Sequence, residues 1–281
     1  MDSSQLAANS EGACGLELLL ENVYRRTGHD FRGYKQGTIT RRLDRRCHFV
    51  GAKDYAAYLG FLEANPEEYQ RLVAYLTVTV SSFFRSEGTF EQVAGLVLPE
   101  LISHKRSRQE RELKIWSTAC AQGEEPYSIA IMLADFLGSQ RGDFDSTIYA
   151  TDINRQVLAE AREGVYSPKD LEHLPATIRD RYFAKDNEGY TLNEAIRQMV
   201  RFSYFDLISN EAPPFDSLDL IFCCNVLIYL DRQRQGQVLD MLYHLLNLPG
   251  YLVLGEVETP TGLSSTLSCL DKKARIFKKE G

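Results

Sequence analysis

Residues 113–134, LKIWSTACAQGEEPYSIAIMLA, constrain this chain more than any other stretch. They read as a strand over 113–118, a tight loop of small residues over 119–123, and a helix that opens near Pro126. Proline suits a first helical turn, where its missing N–H has no partner to lose. A strand that feeds a short loop at a helix N-terminus is a ligand cradle in open α/β sheets. The loop is not GxGxxG, because only Gly123 is present, although Ala119 and Ala121 still allow close backbone approach. Glu124 and Glu125 follow at the helix start, where the macrodipole favours negative charge. That pair repels a pyrophosphate and tolerates a ligand with an amino group and no phosphate. It therefore points away from NAD and toward S-adenosylmethionine. The same letters also fit an ordinary β–α turn with the two glutamates as caps.

At 281 residues the chain fits one large domain or two small ones. No run of about 18 apolar residues occurs, so no membrane-spanning segment is expected. The polar start, residues 1–13, is no secretory signal and reads as a disordered lead-in. The six cysteines, at 14, 47, 120, 223, 224 and 269, form no CxxC, and the histidines supply no metal spacing. Reduced thiols in a cytoplasmic protein without a metal site are the expectation. Cys223 and Cys224 lie in an apolar run and read as packing. The net charge of −7 is uneven: residues 22–54 carry nine Lys/Arg against three Asp/Glu, a local +6. An acidic chain with one basic element suggests a specific acidic partner rather than nucleic acid.

Residues 14–78 read as a helical N-terminal domain. Leu16, Leu19, Leu20 and Val23 make the stripe of a first helix that ends near Gly28. Over 38–50, Ile39, Leu43, Cys47 and Val50 share one helical face. Arg41 and Arg45 lie opposite, with Arg42 and Arg46 on the flanks. Four arginines on one short helix are either a solvated face or a docking face for carboxylate-rich helices. Two more helices follow, over 53–64 and 66–78. Residues 79–95 read as a linker, within which 77–87 (TVTVSSFFRSE) is hydroxyl-rich and carries Arg85. Hydroxyls beside an arginine suit either a ligand carboxylate or helix capping.

A helix over 88–104 leads to an α/β domain that occupies 96–281. A second strand, 147–151, ends in Asp152, 29 residues after Gly123. An acid there accepts hydrogen bonds from ribose hydroxyls, or else caps the helix that follows over 155–163. Residues 165–200 interrupt the alternation and read as a small inserted antiparallel subdomain, with a hairpin turning at 186–189. Strands over 200–204 and 218–223 follow; the second is nearly all apolar, as a strand covered on both faces should be. A helix over 232–246 and a strand over 251–254 come next. Residues 272–279 (KKARIFKK) read as the closing edge strand, guarded by its lysines.

Several separated motifs together resemble the chemotaxis-receptor methyltransferase family: TRRLDRR (40–46), SSFFR (81–85), ACAQGEEPYSIA (119–130), YATDIN (149–154), FDLI (205–208) and LIFCCNVLIYLD (220–231). They cover about residues 14–279. The resemblance implies an all-α N-terminal domain joined to a Rossmann-like class I methyltransferase domain with an inserted antiparallel β subdomain. It implies methyl transfer from S-adenosyl-L-methionine to glutamates of chemoreceptor cytoplasmic helices, leaving S-adenosyl-L-homocysteine. By the same match the cofactor contacts Thr79, Ser81, Arg85, Ala119, Gly123, Glu125, Asp152, Asp206, Leu207, Asn225 and Val226. Tyr229 sits near the reacting methyl, so that it and Arg85 are the catalytic candidates. Arg41, Arg42, Arg45 and Arg46 face the receptor helix. A monomer is expected, without direct membrane insertion. The acceptor carboxylate ionises near pH 4 and needs no general base, consistent with motifs that lack histidine.

The chain departs from the family pattern at four places. Thr79 stands where Asn is frequent, Cys224 where Arg is, and Asp206 where Asn is. Residues 255–258 read GEVE rather than GHSE. The short turn at 186–189 implies recognition that does not need a receptor tail. The departures at 79, 224 and 256 also motivate a rival, a non-catalytic module that binds S-adenosylmethionine or S-adenosylhomocysteine. Nucleic-acid methylation is disfavoured because Cys-Asn-Val follows the strand at 218–223 where an Asn/Asp-Pro-Pro-aromatic signature belongs.

Overall fold

The computed structural model describes residues 3–186, 189–209, 211–262 and 266–280, with side chains from residue 14 onward. The chain divides into two units, one holding the sequence up to Val78 plus a later return, Tyr229–Gln235, and the other holding most of the rest.

The first unit packs α1 (Ser3–Thr27), α2 (Gln36–Val50), α3 (Tyr55–Ala64) and α4 (Glu67–Leu76). The expected stripes are its core: Leu16, Leu19, Leu20, Val23, Ile39, Leu43 and Cys47 are buried, Val50 is half-buried against them, and Tyr58 and Leu62 of α3 join them. Its boundaries follow local chemistry. Gly28 turns left-handed (φ +78°) past α1, and Asp54 caps α3 by accepting from Ala57 N at 2.7 Å. The lead-in at 3–13 differs from expectation, because α1 already runs through it. Its residues are mostly good helix formers with one glycine, so nothing stops the helix from extending. The return Tyr229–Gln235 joins this unit through backbone bonds: Lys35 N donates to Tyr229 O (2.7 Å) and Asp231 N to Gly33 O (3.0 Å).

The second unit opens with α5 (Glu87–Gln92), a π turn over Val93–Val97 and α6 (Leu98–Ser107), one continuous apolar-faced rod. It starts inside the stretch expected as linker, since Phe90, Val93 and Val97 already serve the core. Then come β1 (Glu112–Ser117), α7 (Glu124–Leu137), β2 (Asp145–Asp152), α8 (Arg155–Glu163), β3 (Val165–Tyr166), α9 (Ala176–Tyr182), β4 (Phe183–Lys185), β5 (Tyr190–Leu192), α10 (Glu194–Arg197), β6 (Val200–Tyr204), β7 (Leu218–Cys223), α11 (Arg232–Leu245), β8 (Leu246–Leu254), β9 (Leu267–Asp271) and β10 (Ile276–Lys279). The main sheet has the order β6-β2-β1-β7-β8-β10-β9, and β3-β5-β4 form a separate antiparallel sheet. The first five main strands are parallel. β7 is buried at every position, as the apolar run required. The hairpin strands β4 and β5 pair as expected, while residues 187–188 of its turn lie outside the described residues.

The closing strand needs correction. β10 is not the edge: it lies between β8 and β9, antiparallel to both. Its lysines have fixed partners instead of guarding an edge. Lys278 pairs with Glu100 (2.6 Å), and Lys279 donates to the carbonyls of Tyr243 and Leu246 (2.9 and 2.8 Å). The strand that sequence patterning missed, β9 (LSCLD), lies next to polar, small residues and shows no apolar alternation.

The arginines of α2 separate into two pairs. Arg41 and Arg45 are exposed. Arg42 donates through Nε to Tyr75 O at 3.1 Å. Arg46 clasps Glu68 with both arms (2.6 and 2.7 Å), and Tyr58 OH donates to the same carboxylate at 3.0 Å. Glu68 is 2% exposed. Burial tends to raise its pKa, but the bonds from Arg46 and Tyr58 outweigh it and hold the carboxyl below the usual value. Removing one member of such a pair leaves a buried charge without compensation. Arg46→Ala is therefore expected to lower the unfolding free energy by about 3 kcal/mol in urea titration, whereas Arg45→Ala is expected to leave it unchanged.

Candidate active site

From β1 the chain goes outward to β2 and β6, then returns to the other side of β1 with β7 and β8. Open α/β sheets bind ligands in the crevice beyond the C-terminal strand ends where the winding reverses. Five strand ends meet that edge. Ser117 and Thr118 end β1, Asp152 ends β2, Phe205 and Asp206 follow β6, Cys224–Val226 follow β7, and residues 255–258 follow β8.

The loop between β1 and α7 is held under backbone strain. Ala119 (φ +50°), Ala121 (φ +49°) and Gly123 (φ +93°) are all left-handed, and non-glycine residues persist there only when their surroundings enforce it. Three bonds do so. Cys120 N donates to Thr151 O (2.8 Å), Gly123 N to Cys120 O (3.0 Å), and Ala121 N to Asp152 Oδ2 (2.9 Å). A side chain at Gly123 would crowd its neighbours: a Cβ would lie 3.1 Å from both Ala161 Cβ and the Tyr127 ring, and 3.2 Å from Tyr166 Oη.

Besides Asp206, four carboxylates line this edge. Asp152 is 7% exposed; besides Ala121 N, it accepts from Asn154 N at 2.8 Å. It is not the cap of α8. Asn154 is, accepting from Gln156 N and Val157 N. Burial raises the Asp152 carboxyl against the pull of these N–H groups. Glu125 accepts from Ser117 Oγ at 2.7 Å. Burial lifts its carboxyl to about 7; Ser117 and Cys224 pull it down, Glu258 pushes it up, and Arg85 weakly opposes. Glu124 is 5% exposed, its Oε2 is buried without a hydrogen-bond partner, and burial lifts it to about 7 as well. Neither glutamate acts as a side-chain cap of α7. Glu258, 3% exposed, accepts from the N–H groups of Asn225 (2.8 Å), Gly255 (2.8 Å) and Ile228 (3.1 Å). Acids, hydroxyls and an amide make a donor set suited to a ligand with hydroxyl and ammonium groups, and unsuited to a phosphate.

The remaining expected residues fall as follows. Thr79 and Ser81 are half-buried, and Arg85 is exposed with Nη1 3.3 Å from Val80 O. Phe84 and Ser86, on either side of Arg85, are left-handed. Phe84 N donates to Ser128 Oγ (2.8 Å), whose hydroxyl donates on to Glu124 O (2.6 Å). Ser86 Oγ donates to Glu256 Oε1 (2.8 Å). Asp206 is buried, Leu207 and Val226 are half-buried, and Asn225 is left-handed (φ +60°). Tyr229 belongs to the helical unit, as do Arg41, Arg42, Arg45 and Arg46. Residue-by-residue reading missed Ser117, Ser128 and Glu258 as frame-setting side chains. The serine of GEEPYS and the last residue of GEVE were visible in the motifs, but which backbone groups they hold was not.

Residues 79–276 match the family described as CheR methyltransferase, SAM binding domain, and residues 15–77 match its all-alpha domain. The chain belongs to the CheR methyltransferase family. A chemotaxis protein methyltransferase 2 of Pseudomonas aeruginosa is 37% identical, over 85% of this chain and 84% of that protein. The chemotaxis protein methyltransferase of Salmonella typhimurium is 35% identical over 92% and 88%, and that of Borreliella burgdorferi is 32% identical over 88% of each. The protein is thus an S-adenosylmethionine-dependent methyltransferase of chemotaxis, and nothing supports the non-catalytic rival. The acidic, hydroxyl-lined edge fits that cofactor. No helix among the described residues is long and apolar enough to cross a membrane, and none of their side chains cluster as a metal site.

The two raised glutamates set a pH dependence. A carboxyl at about 7 when folded and near 4.5 when unfolded makes the folded state bind more protons between those values. Stability then falls as pH rises through that window. For the buried Glu124 the shift corresponds to at most about 3 kcal/mol. Urea unfolding at pH 5 and pH 8 is expected to show the loss, and Glu124→Gln is expected to remove the Glu124 part of it while the Glu125 part remains.

Proposed function

We propose that this protein methylates glutamate side chains on the cytoplasmic helices of chemoreceptors, acting in the cytoplasm as a monomer. The observation that carries the reading is the convergence of Glu125, Asp152, Asp206 and Asn225 at one sheet edge in a chain of this family. Arg41 and Arg45, exposed on α2, supply the acid-seeking surface. Arg42 and Arg46 support it from within the helical unit rather than touching the receptor, since their guanidinium groups are already engaged.

Asp152 and Glu125 hold the hydroxyl and amino groups of the cofactor, and Asn225, Val226, Ala119 and Gly123 present backbone and amide to it. Thr79, Ser81, Asp206 and Leu207 complete the enclosure. Bound there, S-adenosylmethionine supplies an electrophilic methyl group. The incoming glutamate is already ionised at neutral pH, so the protein needs no base. Its task is alignment and exclusion of water. Arg85 steers a carboxylate into place, and the Tyr229 hydroxyl orients the acceptor.

Calorimetric titration with S-adenosylmethionine and S-adenosylhomocysteine, followed by incubation with labelled cofactor and receptor cytoplasmic domains, tests this. Binding with base-labile label on receptor is expected. Binding without label on any receptor domain sinks the acceptor assignment. Because ligand donors on Glu125 pull its carboxyl down from about 7, binding at pH 6.5 is expected to release protons. Affinity should then fall as pH drops below 7, read by titration in buffers of different ionisation enthalpy. Asp152→Ala is expected to cost roughly tenfold or more in cofactor affinity. It should also lower the melting temperature, because the buried Ala121 N–H loses its acceptor.

A further inference from the structure

We propose that Glu258 is a positioning residue for the cofactor site, its buried carboxylate fixing the turn that presents Asn225. This rests on the assignment of Asn225 to the cofactor made above. The backbone donors to Glu258 come from two strand ends, with Leu227 beside the three named above. Asn225 and Ile228 lie on the turn after β7, and Gly255 on the turn after β8. Glu258 N in turn donates to Gly255 O at 2.9 Å, which closes its own turn and aims the side chain across the gap.

The geometry leaves little freedom. Asn225 is left-handed, a conformation that asparagine tolerates better than most residues but does not prefer. Its N–H is the group Glu258 Oε2 captures, so the hydrogen bond opposes relaxation of that backbone. Gly255 permits the approach. A Cβ there would lie 2.7 Å from Glu258 Oε2, 2.8 Å from Asn225 N and 3.0 Å from Asn225 Nδ2. The partners on all sides are N–H donors, which explains the acid: an amide at 258 would turn its NH₂ group against some of them. A hydrogen bond to a charged acceptor is worth more than a neutral one. The Glu258 charge also bears on the neighbouring Glu125 carboxyl, so the clamp adds negative potential at the edge where a cationic cofactor sits.

A side chain that merely stabilises the fold would act independently of Asn225. A double-mutant cycle separates the two cases. S-adenosylhomocysteine binding is measured by calorimetry for the full-length wild type, Glu258→Gln, Asn225→Ala and the double variant, with melting curves alongside. Each single variant is expected to weaken binding roughly tenfold to a hundredfold. The double variant is expected to bind about as weakly as the worse single, because Glu258 works through Asn225. In methylation assays Glu258→Gln is expected to raise KM for S-adenosylmethionine and leave KM for receptor unchanged. Glu258→Asp, which keeps the charge on a shorter stem, is expected to recover part of the affinity. Multiplicative losses in the double variant overturn the proposal, as does wild-type binding by Glu258→Gln while Asn225→Ala is weakened. Wild-type binding by Asn225→Ala overturns the cofactor assignment itself and the proposal with it. Global unfolding of both Glu258 variants assigns the residue to fold stability and likewise overturns positioning.

Discussion

A carboxylate removed from water must find donors, and at this sheet edge backbone N–H groups supply most of them. Asp152 takes Ala121 and Asn154; Glu258 takes Asn225, Gly255 and Ile228. Each bond ties a turn leaving one strand to an acid at the end of a neighbouring strand, or across its own turn. The turns so tied contain left-handed residues, Ala119 and Ala121 on one side and Asn225 on the other. Acids therefore serve twice: they hold strained backbone in place, and they give the edge its negative potential. A phosphate-binding Rossmann site solves the first task with glycines and leaves the edge positive. Here alanines are forced into place and the edge is acidic, which selects a different ligand charge.

Charge is divided between the two units. The methyltransferase unit concentrates buried acids at one edge, whereas the helical unit carries the local basic excess. That excess is smaller at the surface than the sequence suggests, because Arg42 and Arg46 are consumed in binding Tyr75 O and Glu68. A bidentate pair with a buried glutamate is geometry that lysine would not reproduce. The repeated Arg-Arg pattern of TRRLDRR thus reflects helix periodicity: the first arginine of each pair faces solvent, and the second packs down onto α4.

The parts legible in the sequence were those with local signals. The strand–loop–helix at 113–134, the nearly all-apolar β7 and the helical stripes of the first unit follow from periodicity and turn residues. What escaped depended on partners far along the chain. β9 has too little alternation to announce itself, so the pattern leaves β10 as the edge and its lysines as guards, whereas β10 lies between β8 and β9. Glu258 meets its partners about thirty residues away, and Ser128 receives Phe84 N from forty-four residues back. A motif marks such a residue without revealing which backbone group it holds. The left-handed alanines escaped for a related reason: alanine does not prefer that region, and only the surrounding hydrogen bonds place it there.

The departures from the family pattern can be judged by what surrounds them. Glu256 stands where the family resemblance has a histidine; it is exposed, yet its carboxylate accepts from Ser86 Oγ and its carbonyl from Arg275 Nε, each at 2.8 Å. Ser86 is left-handed beside Arg85, so this substitution pins the segment that presents the arginine. Cys224 replaces a frequent arginine with a neutral thiol next to Glu125. That substitution removes a charge and leaves the frame intact, because the following turn is fixed by Glu258 through the backbone and not by the side chain at 224. Its effect falls on Glu125, which without a neighbouring cation at 224 stays near 7 and becomes sensitive to the charge of whatever binds. At this turn Glu258 keeps the frame through backbone N–H groups, and the thiol at 224 alters only the charge beside Glu125.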